Sequence, residues 1–184
     1  MKTLTSLLAV VTASITALAP DLARADTTWT FASVAARSPA VAAAARAPVD
    51  AMVFNVTAAA VAPTNITRMA FVVSGTVKNA ELANFQLVYY PNGLAAPGVV
   101  VGSNAAAAFA PGGTTDTVSI DLATPIALQG NYSGMFALRG DVNGVRSFFF
   151  APRLQTVTVV QGAAERFLIE TEDLPMSGST FYVN

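Results

Sequence analysis

The chain has 184 residues, of which 53% are hydrophobic and only 11% are charged, and its formal net charge is −1. This length favours a single domain with a substantial buried core, and the near-neutral charge gives no electrostatic footprint for nucleic acid. The sequence contains neither Cys nor His, which excludes disulfides, thiolate and imidazole metal sites, and the Ser-His-Asp and Cys-His catalytic arrangements. We therefore expect no enzymatic activity, no cofactor and no metal site.

The N-terminus has the pattern of a secretory signal peptide. Lys2 supplies a positive start, residues 4–19 are apolar, and Ala23-Arg24-Ala25 gives the small-x-small pattern of a cleavage site. We predict a signal peptide over residues 1–25, a mature chain beginning at Asp26, no membrane span after cleavage, and a secreted or cell-surface location. The alternative is a retained anchor, although the apolar run is short for a membrane span.

Residues 26–48 are predicted to hold an N-terminal strand and a tether. Trp29 and Phe31 alternate with threonines, which is typical of a half-buried strand. Residues 35–48 are rich in Ala, Arg, Ser and Pro, a composition that indicates a linker rather than part of a packed core.

The main domain is predicted to span residues 49–184. Short segments of alternating or continuous apolar residues, bounded by turn residues, predict its strands. In chain order they are Met52 to Val56, Met69 to Val73, Phe85 to Tyr89, Val99 to Val101, Val118 to Leu122, Tyr132 to Val142, Val145 to Phe150, Leu154 to Val160, Glu165 to Thr171 and Thr180 to Val183. Turns are predicted at Pro63-Thr64-Asn65, Ser74-Gly75 and Pro91-Asn92-Gly93.

A hairpin is predicted at Asn143-Gly144, a pair typical of a type I′ turn. In that register Val142 pairs with Val145, and Asp141 faces Arg146 across the strands. Many short strands with turns between them predict an all-β fold, specifically an antiparallel β-sandwich of the jelly-roll or immunoglobulin-like type with a tethered N-terminal strand. The sandwich is favoured over a closed barrel because the predicted strands are short and uneven.

Several phrases between Val49 and Pro152 share a pattern of strand edges. They are Phe54-Asn55-Val56-Thr57-Ala58, Phe71-Val72-Val73-Ser74-Gly75-Thr76, Asn84-Phe85-Gln86-Leu87 and Gly134-Met135-Phe136-Ala137-Leu138-Arg139-Gly140-Asp141-Val142. Together they resemble β-sandwich modules of prokaryotic secreted surface and filament proteins. The resemblance implies a structural or adhesive role, in some cases with assembly through an N-terminal strand lent to a neighbour. It carries over no active-site residue.

Each of the other motifs has a purely structural interpretation as well as a functional one. Arg139-Gly140-Asp141 is an adhesive tripeptide when a loop tip presents it, but the alternation here favours two strand charges. The acidic group of Glu165, Glu170, Glu172 and Asp173 is either a solvated strand end or a surface cation site. Phe148-Phe149-Phe150 is expected to be buried on both faces; a sugar-stacking platform and a subunit interface are the alternatives.

The candidate assembly residues are Trp29, Phe31 and Val34, on a strand that either joins its own domain or is donated to a neighbour. Charge is sparse, and Lys78 is the only lysine left after signal removal, although sheets often guard their edges with lysine. We expect a secreted structural subunit of an extracellular filament or surface layer that polymerises with itself. The alternative is a monomeric extracellular adhesive or glycan-binding module with a cell-surface partner.

Overall fold

The computed structural model describes residues 28–34, 40–41, 47–78, 81–105, 115–143, 147–161, 165–169 and 171–183. They form the strands β1 (Thr28–Val34), β2 (Ala40–Val41), β3 (Ala47–Gly75), β4 (Leu82–Tyr90), β5 (Val99–Asn104), β6 (Thr115–Val142), β7 (Phe148–Gln161), β8 (Glu165–Leu168), β9 (Met176–Ser177) and β10 (Phe181–Val183). No helix occurs in this part of the chain. The predicted all-β class is confirmed, while the predicted signal peptide and most of the predicted tether lie outside the described residues.

The described strands belong to one sheet that curls into a half-barrel. The order along the sheet is β2-β10-β7-β3-β6-β4-β5, with β1 also pairing to β3, and with β8 and β9 pairing to β7. Every pair is antiparallel except β2 with β10. The described strands do not separate into the two sheets expected for a jelly-roll or immunoglobulin-like sandwich, so the structure supports only the coarser class.

The centre of the sheet is a long pair made by β3 and β6. It runs from the Ala47–Val142 pair at one end to the Ser74–Thr115 pair at the other. The first half of β3 carries β1 on its other edge, and the second half carries β7. Segments that the sequence pattern separates into short strands are therefore parts of single long strands.

The prediction that a turn ends a strand at Pro63-Thr64-Asn65 is wrong, because β3 continues through these residues. The ladder with β6 instead shifts register between Ala60 and Thr64. Pro63 cannot donate a ladder hydrogen bond, so it is tolerated where pairing is already interrupted. The strand folds back over the core, since the rings of Phe54 and Phe71 lie 6.0 Å apart between centroids. A straight strand would separate these two residues by about 56 Å.

Alternation along each strand divides the side chains between a concave core face and an outer face. The concave face carries the main core, which includes the fully buried rings of Phe54, Phe71, Phe85, Phe136, Phe150 and Phe181. Burial of one such side chain contributes about 1.5–3 kcal/mol. A smaller cluster on the outer face contains Val53, Val88, Tyr90 and Ala137.

The hairpin predicted at Asn143-Gly144 is also wrong. Val142 pairs with Ala47 on one side and with Leu82 on the other, so both edges of β6 are already occupied. The following strand β7 pairs with β3 instead. A local turn signal is overridden here by tertiary pairing, and the proposed partner residues 144–146 lie outside the described residues.

Candidate functional site

Strand β1 holds the predicted assembly residues and lies along the first half of β3. Trp29 pairs with Ala58, Phe31 pairs with Val56, and Val34 closes the strand at its other end. Because side chains alternate, Trp29 and Phe31 face the concave core, whereas Val34 packs against the outer-face cluster. The three predicted residues therefore lie on one strand but contact two different faces of the sheet.

The two aromatic rings of β1 form a stacked pair on the core side of the strand. Their centroids lie 6.3 Å apart with an interplanar angle of 9°. Phe31 is only 5% exposed, and Trp29 is half-buried against the core. Phe31 thus fills part of the core of the domain although it belongs to a terminal strand.

Small residues lie near these rings in the ladder and make room for the ring of Tyr132. Ala58 lies between Trp29 and Tyr132 in the ladder, and the Val56 that faces Phe31 is itself paired with Gly134. A Cβ at Gly134 would run into the ring and hydroxyl of Tyr132, which folds over the glycine. We call Ala58, Gly134 and Tyr132 the β1 floor.

The hydroxyl of Tyr132 is buried within this floor. Burial is the main cause that raises the pKa of Tyr132 well above its ordinary value, and the neighbouring Tyr89 phenol contributes further. Loss of a proton at this site would leave a charge in an apolar setting, which is unfavourable.

The outward edge of β1 is held at one point by a carboxylate. The backbone N–H of Phe31 donates to Oδ2 of Asp173 over 3.0 Å. Apart from β3, no described strand pairs with β1. Asp173 belongs to the acidic group that the sequence suggested as a cation site, and no cluster of three or more potential metal ligands occurs among the described residues.

Arg139, the first residue of the adhesive tripeptide, belongs to a polar triad on the outer face. Its Nε donates to Oδ1 of Asp50 over 2.7 Å, and its Nη2 donates to the hydroxyl of Tyr90 over 2.8 Å. That hydroxyl in turn donates to Oδ2 of Asp50 over 2.9 Å. Burial and the Asp50 carboxylate raise the pKa of Tyr90.

Asp141, the last residue of the tripeptide, accepts a hydrogen bond from Nδ2 of Asn84 over 2.8 Å. Residues 139–141 lie within β6, which pairs with β3 and β4 on its two edges. The tripeptide is therefore part of a central strand and is not displayed at a loop tip. This agrees with the structural interpretation, in which Arg139 and Asp141 are two charges on a strand.

The run Phe148-Phe149-Phe150 departs from the expectation of burial on both faces. Phe148 and Phe150 are buried, but Phe149 is 38% exposed. It faces outward beside Tyr182, which is 56% exposed, and the ring centroids lie 6.2 Å apart. Both aromatics alternate with buried neighbours, so the exposed pair could have been found from the pattern if the cross-strand partner had been known.

A groove runs along the same outer face of β7. It encloses about 400 Å³, and its lining comprises Val72, Ser74, Ala151, Pro152, Arg153, Ser177, Gly178 and Thr180. Neither this groove nor the role of Asp173 at β1 was predicted from sequence, because both depend on which distant segments meet.

The described part of the chain contains no helix that is long and apolar enough to cross a membrane. No protein-family model matches the sequence, and no curated protein matches it significantly.

Proposed function

We propose that the protein is a secreted structural subunit that assembles with copies of itself by exchanging β1 between neighbours. The observation that carries this proposal is that Phe31, 5% exposed, completes the core from a strand that, among the described strands, pairs only with β3. A strand with both properties supplies binding energy while its main-chain pairing involves a single neighbouring strand.

Removing β1 would open a site suited to an incoming strand. The backbone of β3 opposite Thr28–Val34 would lose its partner, leaving a row of unpaired N–H and C=O groups. Beside that edge, the β1 floor would lose the two rings that cover it. Main-chain bonds would give affinity to an incoming β1, and the two aromatic side chains would give register.

The same contacts form whether β1 comes from its own chain or from a neighbour. Residues 35–46 join β1 to β3 and can span up to about 40 Å when extended. The domain is roughly 35 Å across by compactness scaling, so this linker can reach a second copy. Exchange also requires release of the short β2–β10 pair, which spans only two positions of the ladder. Head-to-tail exchange that does not close produces open filaments.

An engineered disulfide tests whether β1 is exchanged. Thr30 and Thr57 are directly paired and exposed, and the protein has no native Cys. Paired antiparallel residues lie about 4.5–5.5 Å apart at Cα, within the range that a disulfide spans. The Thr30→Cys/Thr57→Cys variant, purified and oxidised at high concentration, should give a ladder of covalent oligomers on a non-reducing gel.

The control is Thr30→Cys alone, which can form no covalent species larger than a dimer. A ladder seen only with the double variant supports exchange. A double variant that oxidises completely yet stays monomeric shows that β1 remains in its own domain. That result rejects the filament proposal and favours the monomeric adhesive or glycan-binding module instead.

We further propose that the two halves of the β3–β6 pair act as the two layers of a sandwich-like core. The contact between Phe54 and Phe71, which lie on opposite halves of β3, supports this proposal. A subunit with such a core retains its fold when one edge strand leaves, which is what exchange requires.

A further inference from the structure

We propose that the outer face of β7 and β10 binds an oligosaccharide that contains uronic acid, with Phe149 and Tyr182 stacking on sugar rings and Arg153 binding a carboxylate. This site does not depend on β1 and is independent of the proposed strand exchange.

The aromatic part of the site is held rigidly. Phe149 and Tyr182 are direct cross-strand partners, with their rings 6.2 Å apart. The backbone of Phe149 is fixed from the other side, because its N–H donates to Oγ1 of Thr76 over 3.1 Å and its carbonyl accepts from the N–H of Thr76 over 3.0 Å. Aromatic faces carry partial negative charge and attract the C–H groups of a sugar ring.

The adjoining groove supplies polar groups. Ser74, Ser177 and Thr180 bring hydroxyls to its lining, and each hydroxyl can both donate and accept hydrogen bonds. The wall at Gly178 is tight, because a Cβ there would lie 3.0 Å from the carbonyl oxygen of Pro152. A concave site with hydroxyls beside aromatic rings suits a sugar, which presents hydroxyls at its rim and C–H groups on its faces.

Arg153 gives the site its charge preference. It is exposed, and it forms no ion pair with any residue that the structure describes, unlike Arg68 and Arg139. No carboxylate occurs among the described residues that line the groove. A guanidinium in this position can bind a carboxylate with two parallel hydrogen bonds.

The spacing indicates an oligosaccharide rather than a single sugar. Phe149, Ala151 and Arg153 alternate along one face of β7, so Phe149 and Arg153 lie about 13 Å apart along the strand. One sugar ring does not cover that distance. A protein partner is less well suited, because protein hot spots are buried in well-packed apolar pockets, whereas three of the eight described lining residues of this groove carry hydroxyls and a fourth carries a guanidinium.

The test is calorimetric titration of the mature protein with four-unit oligomers of galacturonate and of mannuronate, and with the methyl ester of the binding oligomer. We expect one or both acids to bind, and we expect the ester, which lacks the charge, to bind at least about tenfold more weakly. The variants Phe149→Ala, Tyr182→Ala and Arg153→Gln should each weaken binding by a similar factor. Arg153→Gln should also remove the preference for acid over ester.

Two matched variants serve as controls. Leu168→Ala removes an exposed apolar side chain, 54% exposed, and Arg68→Gln removes an exposed cation that is paired with Asp121. Both should bind like the wild type. The proposal is overturned if neither acid binds, if acid and ester bind equally, or if the site variants bind like the controls. A loss of self-association in Phe149→Ala, with sugar binding unchanged, would assign this face to a protein interface. The comparison of acid with ester needs no variant and stays decisive even if a variant fails to fold.

Discussion

Gly75 and Gly93 both adopt positive φ, at 140° and 72°, but their surroundings differ. A Cβ at Gly75 would run into the backbone of Phe149 and Phe150, whereas a Cβ at Gly93 would meet nothing within 4 Å. Gly75 ends β3 where β7 passes close beside it, so this position needs glycine for space as well as for conformation. The Ser74-Gly75 strand end was predicted from sequence, but the close approach of β7 was not.

We predict that Gly75→Ala destabilises the protein more than Gly93→Ala. The Gly93 variant should lose about 1–2 kcal/mol, the usual penalty for a side chain in left-handed backbone. The Gly75 variant adds a clash with backbone atoms that cannot move independently. Urea titration of both variants measures the difference, and equal losses would contradict the close approach of β7 to Gly75.

We predict that the buried phenol of Tyr132 makes the free energy of unfolding depend on pH in the alkaline range. Its folded-state pKa is raised by burial, so the folded protein holds this proton more tightly than the unfolded chain does. The contribution of Tyr132 to the free energy of unfolding is complete below about pH 10, the pKa of tyrosine in the unfolded chain. It is lost as the pH rises through the higher pKa that Tyr132 has in the folded protein. The free energy of unfolding should therefore fall above about pH 10.

In the Tyr132→Phe variant, the free energy of unfolding should fall less steeply with rising pH. Part of the fall should remain, because the pKa of Tyr90 is also raised in the folded protein. Denaturant titrations at a series of alkaline pH values measure both slopes. Identical slopes for the variant and the wild type would show that Tyr132 is not held in a buried setting.

Among the elements, the strand interiors were predicted well and their connections were not. The alternation of Met52, Phe54 and Val56 identified the core face of β3 because the period of two is a local property. The continuity of β3 through Pro63 was missed, because a proline between apolar runs looks the same in a bulge as in a turn. The register of β6 depends on β3 and β4, which lie far away in sequence.

We predict that β1 is separable from the rest of the domain. Deletion of residues 26–34 should leave a soluble monomer that still melts cooperatively, at a lower temperature because Phe31 no longer fills the core. A synthetic peptide of residues 26–34 should raise the melting temperature, because it binds only the folded state. A peptide with Trp29 and Phe31 replaced by serine is the control.

A truncated protein that is unfolded in the absence of peptide would show that β1 is an obligatory part of its own domain. A melting temperature that responds equally to both peptides would mean that the effect does not depend on the aromatic pair. Calorimetry of the truncated protein with each peptide distinguishes these outcomes.

For the whole molecule, the succession of short alternating segments and turn residues predicted the all-β class, and the alternation of Trp29 and Phe31 with threonines predicted β1 as a half-buried strand. The curl of one sheet into a half-barrel could not be predicted, because it follows from two long strands that bend together. The outer-face groove could not be predicted from sequence either, since its walls come from β3, β7 and the segment around β9, which are distant from one another in the chain.

We predict that the full chain is exported and cleaved. The mature protein should begin at Asp26, because Ala23-Arg24-Ala25 provides the small residues that a signal peptidase requires. N-terminal sequencing of protein recovered from the culture medium checks this. Recovered protein that begins at Met1 would contradict cleavage, and protein found only inside cells would contradict export.

The long β3–β6 pair also sets an order in which the chain can fold. Its Ser74–Thr115 end closes a much shorter loop than its Ala47–Val142 end. Less conformational entropy is therefore lost when the Ser74–Thr115 end closes. We expect pairing to start there and to zip towards Ala47, with β1 joining only after its half of β3 is in place. Pulse-labelled hydrogen exchange should then protect the amide of Phe71 before that of Phe54, and the reverse order would refute it. In the proposed exchange, a newly exported subunit would spend a short time with the edge of β3 that binds β1 formed but empty, and in that interval the strand of a neighbour would compete with its own.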